Sequence, residues 1–66
     1  MPRYVVNNRE QSNGDHEVHK DGCVFFPSSY VDLGNHDSCS TAVTAAKRHH
    51  SQSNGCKTCS PACHTS

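Results

Sequence analysis

Apolar and polar positions follow a strand-like rhythm over the first half of the chain and a helical one later. Arg3-Tyr4-Val5-Val6-Asn7 has the β-branched and aromatic content of a strand. Asn7 to Asp15 is turn-forming, with Asn13-Gly14-Asp15 as the strongest break. Asp15 to Lys20 alternates weakly around Val18 and predicts a strand that pairs with the first as a hairpin. Asp21-Gly22 predicts a tight turn that delivers Cys23. Val24-Phe25-Phe26 is the densest apolar patch, and Pro27 stops any strand there or confines it to a sheet edge. Ser28-Ser29 reads as loop, and Tyr30 to Leu33 predicts a third strand ending at Gly34. After Asp37-Ser38, either of which suits an N-cap, the period changes. Cys39, Ala42, Val43, Ala46 and His49 or His50 fall at i, i+3, i+4, i+7 spacing and predict one helix with a narrow apolar stripe. Ser51 to Gly55 should end it, with Asn54-Gly55 as a turn. The expected fold is small α+β: a short, three-stranded, mostly antiparallel sheet with one α-helix.

Composition makes that fold hard to sustain by packing alone. Six valines, Leu33, Phe25 and Phe26 are nine large aliphatic or Phe residues in 66, and there is no Ile or Trp. A share of about 14% lies below the roughly 20% that usually marks disorder, although the second mark of disorder, a high net charge, is missing. Six basic and six acidic residues give a formal net charge of zero. Small scaffolds with so thin a core need a disulfide or a structural metal. This chain holds five Cys and six His, eleven potential ligands.

Two ligand pairs stand out. Cys56-Lys57-Thr58-Cys59 is a C-x2-C turn preceded by Gly55, a spacing that lets two thiolates reach one tetrahedral ion at about 2.3 Å. A thioredoxin-like redox reading of the same motif needs a βαβ context, for which the chain is too short. His19-Lys20-Asp21-Gly22-Cys23 is an H-x3-C pair in which Gly22 permits the sharp turn. The 32 residues between Cys23 and Cys56 suffice for a strand and a helix that bring the pairs together. A single structural zinc held by His19, Cys23, Cys56 and Cys59 is expected. The chain is then one small metal-binding domain over 1–66: strand and turn at 1–15, metal-binding core at 16–60, tail at 61–66.

His19-x3-Cys23, a strand, a helix opening Ser38-Cys39-Ser40-Thr41-Ala42, and Gly55-Cys56-x2-Cys59 together resemble the Ada-type metal-binding domain. The nearest variants are the small zinc modules of that type appended to some bacterial nucleases, which share the H-x3-C and late C-x2-C pairs. The resemblance spans roughly Glu17 to Ser60. It implies a small bacterial protein with a sheet, one helix packed across it, and a buried zinc between strand turn and helix end. Two departures limit what it carries over. In the Ada domain a metal-activated thiolate accepts a methyl group, whereas the first ligand position here is His19, and the basic surface for damaged DNA is absent. The helix from Cys39 to His50 also reads longer than the family's.

The remaining Cys and His leave alternatives open. Cys63, His64 or His16 can stand in for one of the four ligands. Cys56-x2-Cys59-x4-His64 matches three ligands of a retroviral-type zinc knuckle but lacks its last Cys, and Cys59 to His64 is one residue too long for haem attachment. Cys39, on the helix stripe, reads as a packed free thiol. His16, on the opposite strand face from His19, reads as a solvent-facing or hydrogen-bonding residue. His36, His49 and His50 read as polar surface. Cutting the chain after Pro61 is expected to leave fold and zinc intact.

For function, four good ligands fill a zinc site and leave no open position for catalysis. A non-enzymatic binding or adaptor module, monomeric, with an unidentified protein partner, is the leading expectation. A nucleic-acid-binding accessory module of Ada-like type is the alternative, resting on the resemblance and on Lys47-Arg48-His49-His50; zero net charge disfavours it. No apolar run suits a membrane span. The first eight residues are too short and polar for a signal peptide, so a cytoplasmic, reducing setting is expected, where cysteine clusters read as metal sites. An exported, disulfide-rich peptide with Cys56 to Cys63 bridged is the third reading.

Overall fold

The computed structural model describes residues 2–64. Its elements are β1 (Arg3–Asn7), β2 (His16–Lys20), β3 (Tyr30–Asn35), α1 (Cys39–Ala46), β4 (Ser53–Gly55) and a short 3-10 turn at Pro61–Cys63. The fold is α+β with one helix, as expected. The sheet, however, has four strands in the order β3-β1-β2-β4 and is mixed. β1 pairs antiparallel with β2 and β3, and β4 pairs parallel with β2. The expected three strands become four because Ser53-Asn54-Gly55, read as a turn, lies alongside His16-Glu17-Val18. A short parallel strand at this edge follows from the helix, which carries the chain back across the sheet from β3.

The helix is shorter than the predicted Cys39 to His50 span. After Ala46 the amides of Arg48 and His49 bond three residues back, to Ala45 and Ala46, which tightens and ends the last turn. Ser38 is its N-cap residue, without a side-chain capping bond. Thr41 Oγ1 donates instead to the Ser38 carbonyl at 3.2 Å.

β1 is buried on both faces, and the two faces differ. Toward the helix, Tyr4, Val6, Val18, Ala42 and Ala46 form the core, flanked by Val31, Leu33, Cys39 and Val43. On the other face Val5 and its register partner His19 are buried, outside that cluster. Arg3, two residues from Val5 on the same face, lies over the Phe26 and Tyr30 rings and bridges Asp21 and Asp32. These half-exposed ion pairs contribute little. Leu33 is the extra residue of a β-bulge: Tyr4 faces Gly34 while Val5 faces Asp32. Gly34, at φ +81°, absorbs the distortion.

Val24 and Phe25, the expected apolar strand or patch, are 79% and 60% exposed. Cys23 N–H bonds the Lys20 carbonyl and Phe26 N–H the Cys23 carbonyl, so two consecutive turns throw these side chains outward.

Cys39 is not a packed free thiol. It forms a disulfide with Cys63, with Cα atoms 6.1 Å apart. The bridge ties the 3-10 turn to the start of the helix across a separation of 24 residues. It also corrects the pairing expected in the exported-peptide reading, since Cys63 bonds Cys39 and Cys56 is free. The approach of this segment to β4 is close. A Cβ on Gly55 would lie 2.7 Å from Cys63 Cβ, 2.8 Å from the Ser60 carbonyl oxygen and 2.9 Å from the Cys63 carbonyl carbon. Two of those atoms are backbone. Gly55→Ala should therefore destabilise the chain by about 1–3 kcal/mol, an overpacking cost read as a lower urea midpoint. An unchanged midpoint would show that the tail yields freely.

Candidate metal centre

The four predicted ligands come from two turns on the sheet face away from the helix. His19 lies near the end of β2, opposite Val5, where alternation points it to that face. Gly22, at φ +90°, lets the Lys20–Cys23 turn close with a 3.0 Å bond from Cys23 N–H to the Lys20 carbonyl. The second pair is positioned from β4. Cys56 N–H donates to the Val18 carbonyl at 2.9 Å and extends the parallel ladder by one rung. Ser60 N–H then reaches back to the Cys56 carbonyl at 2.8 Å, wrapping Lys57, Thr58 and Cys59 into a single turn.

The structure brings His19, Cys23, Cys56 and Cys59 together, with one donor atom from each lying within 4.8 Å of all the others. Cys23 Sγ is 3.9 Å from Cys56 Sγ, and Cys59 Sγ is 3.9 Å from His19 Nδ1. A tetrahedral ion with sulfur at about 2.3 Å and nitrogen at about 2.0–2.1 Å needs donor separations of about 3.6–3.8 Å. The cluster can hold a metal ion with small side-chain adjustments. His19 and Cys56 are buried, while Cys23 and Cys59 are half-buried.

Protonation follows from these surroundings. Burial holds the His19 imidazole below its ordinary range, against the opposing pull of Glu17, and so favours the neutral ring that ligates metals. Burial pushes the Cys59 thiol up, and the Cys23 side chain adds to that. The Lys20 amide donates to Cys59 Sγ at 3.3 Å and works the other way, as does Cys56. A bound cation would deprotonate such thiols outright. His19 Nε2 has no hydrogen-bond partner among the described residues, although Glu17 Oε1 lies 3.5 Å away.

The spare candidates lie elsewhere. Cys63 is taken up by Cys39, and His64 Nδ1 donates to the Gly55 carbonyl at 3.1 Å. His16 donates through Nδ1 to the Asn7 carbonyl at 2.9 Å and stacks on His50, with ring centroids 3.9 Å apart. Partial burial, with His16 and His49 nearby, keeps the His50 pKa below its ordinary value. His36, read as polar surface, instead bonds the Leu33 carbonyl at 2.9 Å and lies edge-on to Tyr4. His49 is exposed. The disulfide is the element that sequence reasoning missed, and a lone Cys at a helix start carries no local signal for its partner.

No protein-family model, curated protein or solved structure matches this chain.

Proposed function

We propose that the chain is a non-enzymatic zinc-binding module, in which one structural zinc held by His19, Cys23, Cys56 and Cys59 fixes a small binding or adaptor domain. The observation that carries this reading is the convergence of four donors from two sequence-distant turns to within 4.8 Å. Three thiolates and one imidazole are a donor set suited to tetrahedral zinc. A filled set leaves no open coordination position for chemistry. The expected result is one zinc per chain by elemental analysis. Cys56→Ser and Cys59→Ser should each abolish tight binding, whereas Cys39→Ala should keep the ion. A wild-type chain that takes up no zinc would sink the proposal, and unchanged zinc affinity in Cys56→Ser and Cys59→Ser would show the ligands wrongly assigned.

An Ada-like accessory module that touches nucleic acid is the second reading, favoured by the exposed Lys47-Arg48-His49 turn that follows the helix. Binding of generic DNA or RNA that weakens steeply with salt would support it; its absence at low salt would remove it. Among the described residues no helix is long and apolar enough to cross a membrane. The three free thiols suit the cytoplasmic setting that we propose, but the Cys39–Cys63 bridge is of a kind that persists in oxidising surroundings.

A further inference from the structure

The His19 ring has two nitrogens in different surroundings. Nδ1 is 3.9 Å from Cys59 Sγ. Nε2 lies near Glu17, whose Oε1 is 3.5 Å off. Glu17 and His19 are two residues apart on β2, so strand alternation sends both to the same sheet face. His19 is only 1% exposed, and no other hydrogen-bond acceptor reaches its Nε2 among the described residues. Nearby acids on this face are otherwise engaged: Asp21 and Asp32 both pair with Arg3.

We infer that His19 ligates the metal through Nδ1 and that Glu17 is a positioning residue, accepting a hydrogen bond from His19 Nε2–H. The inference rests on the zinc reading above and adds a residue to it. A neutral imidazole that gives one nitrogen to a metal must carry its proton on the other. Buried at this site, that N–H needs an acceptor, because an unmade hydrogen bond costs the full desolvation of the group. The 3.5 Å separation closes to hydrogen-bond length with a movement of the Glu17 carboxylate by a few tenths of an ångström. The carboxylate then selects the Nε2–H tautomer, fixes the ring plane and raises the basicity of Nδ1.

The test uses the full chain, uniformly labelled with nitrogen-15 and titrated with zinc. Ring nitrogen shifts should report His19 Nδ1 as metal-bound and Nε2 as protonated, with slow exchange of the Nε2 proton. Competition against cobalt(II), read by its visible absorption, should show zinc bound roughly ten- to a hundred-fold more weakly by Glu17→Ala. Glu17→Gln keeps an acceptor oxygen and should recover most of that loss, whereas Glu17→Leu, of similar bulk but without an acceptor, should not. Zinc on Nε2, or unchanged affinity in Glu17→Ala, would overturn the assignment while leaving the zinc site standing. If Glu17→Ala does not fold, the wild-type ring shifts and Glu17→Gln decide the matter alone. No zinc uptake by the wild-type chain would overturn this inference and the underlying reading together.

Discussion

Removing zinc with a chelator at neutral pH should unfold this chain, with loss of amide chemical-shift dispersion throughout the sheet. The helix-side core consists of one tyrosine, two valines and two alanines, with four half-buried neighbours. On the opposite face of the β1–β2 pair the fully covered side chains among the described residues are Val5 and His19, and His19 belongs to the metal cluster. Structural zinc sites of this kind contribute about 10–16 kcal/mol of apparent binding energy at pH 7, against a usual total stability of about 5–15 kcal/mol for a whole domain. Metal and fold are then one equilibrium. The metal-free face would hold three thiols and an imidazole, of which Cys56 and His19 have almost no water contact. The same coupling predicts acid sensitivity, because protons compete with the ion for every ligand. Dispersion that survives complete zinc removal would mean that the Cys39–Cys63 bridge and the valine core suffice, and would refute the structural role.

What could be read in the sequence was local. β1 is bounded as its residues suggest, β2 begins one residue later than expected, and the H-x3-C turn closes through Gly22 as its spacing requires. Each of these depends on neighbours within five residues. The C-x2-C turn is equally local, so both halves of the cluster were legible, and a connection of suitable length made their meeting plausible. β4 was not legible, because Ser-Asn-Gly has no strand preference and becomes a strand only by pairing with β2. The outward turn of Val24 and Phe25 also escaped the pattern, since hydrophobicity alone cannot distinguish a buried strand from a turn. The Cys39–Cys63 bond is the largest omission. Cys39 occupies the same helical stripe as Ala42 and Ala46, so periodicity treats it as one more small apolar residue. Its partner is 24 positions away, in a segment with no regular pattern of its own.

That bond sets the second large effect. Cys39→Ala and Cys63→Ala should each lower the stability of the zinc-loaded chain by about 3.5 kcal/mol, the chain-entropy value for a closed loop of this length. A packed thiol at Cys39 would cost only about 1 kcal/mol, so the magnitude separates the two roles. Cutting after Pro61 should match the Cys63 variant or exceed it slightly, because it also removes the His64 bond to the Gly55 carbonyl. The expectation from the bare sequence that this tail is dispensable therefore needs dividing. The zinc should stay, since neither Cys63 nor His64 belongs to the cluster, while the stability should fall. Urea unfolding of the zinc-loaded proteins without reductant measures the fall, and elemental analysis checks that the ion remains. A thiol titration of the denatured, zinc-free wild type supplies the independent control: three free thiols with the bridge, as the structure has it, and five without it. Five thiols, with a loss near 1 kcal/mol in Cys39→Ala, would return Cys39 to the role of a small packed side chain. Three thiols together with loss of zinc on truncation would instead show that the 3-10 turn holds the C-x2-C loop in place. Gly55 would carry that coupling, because the two segments approach closely there.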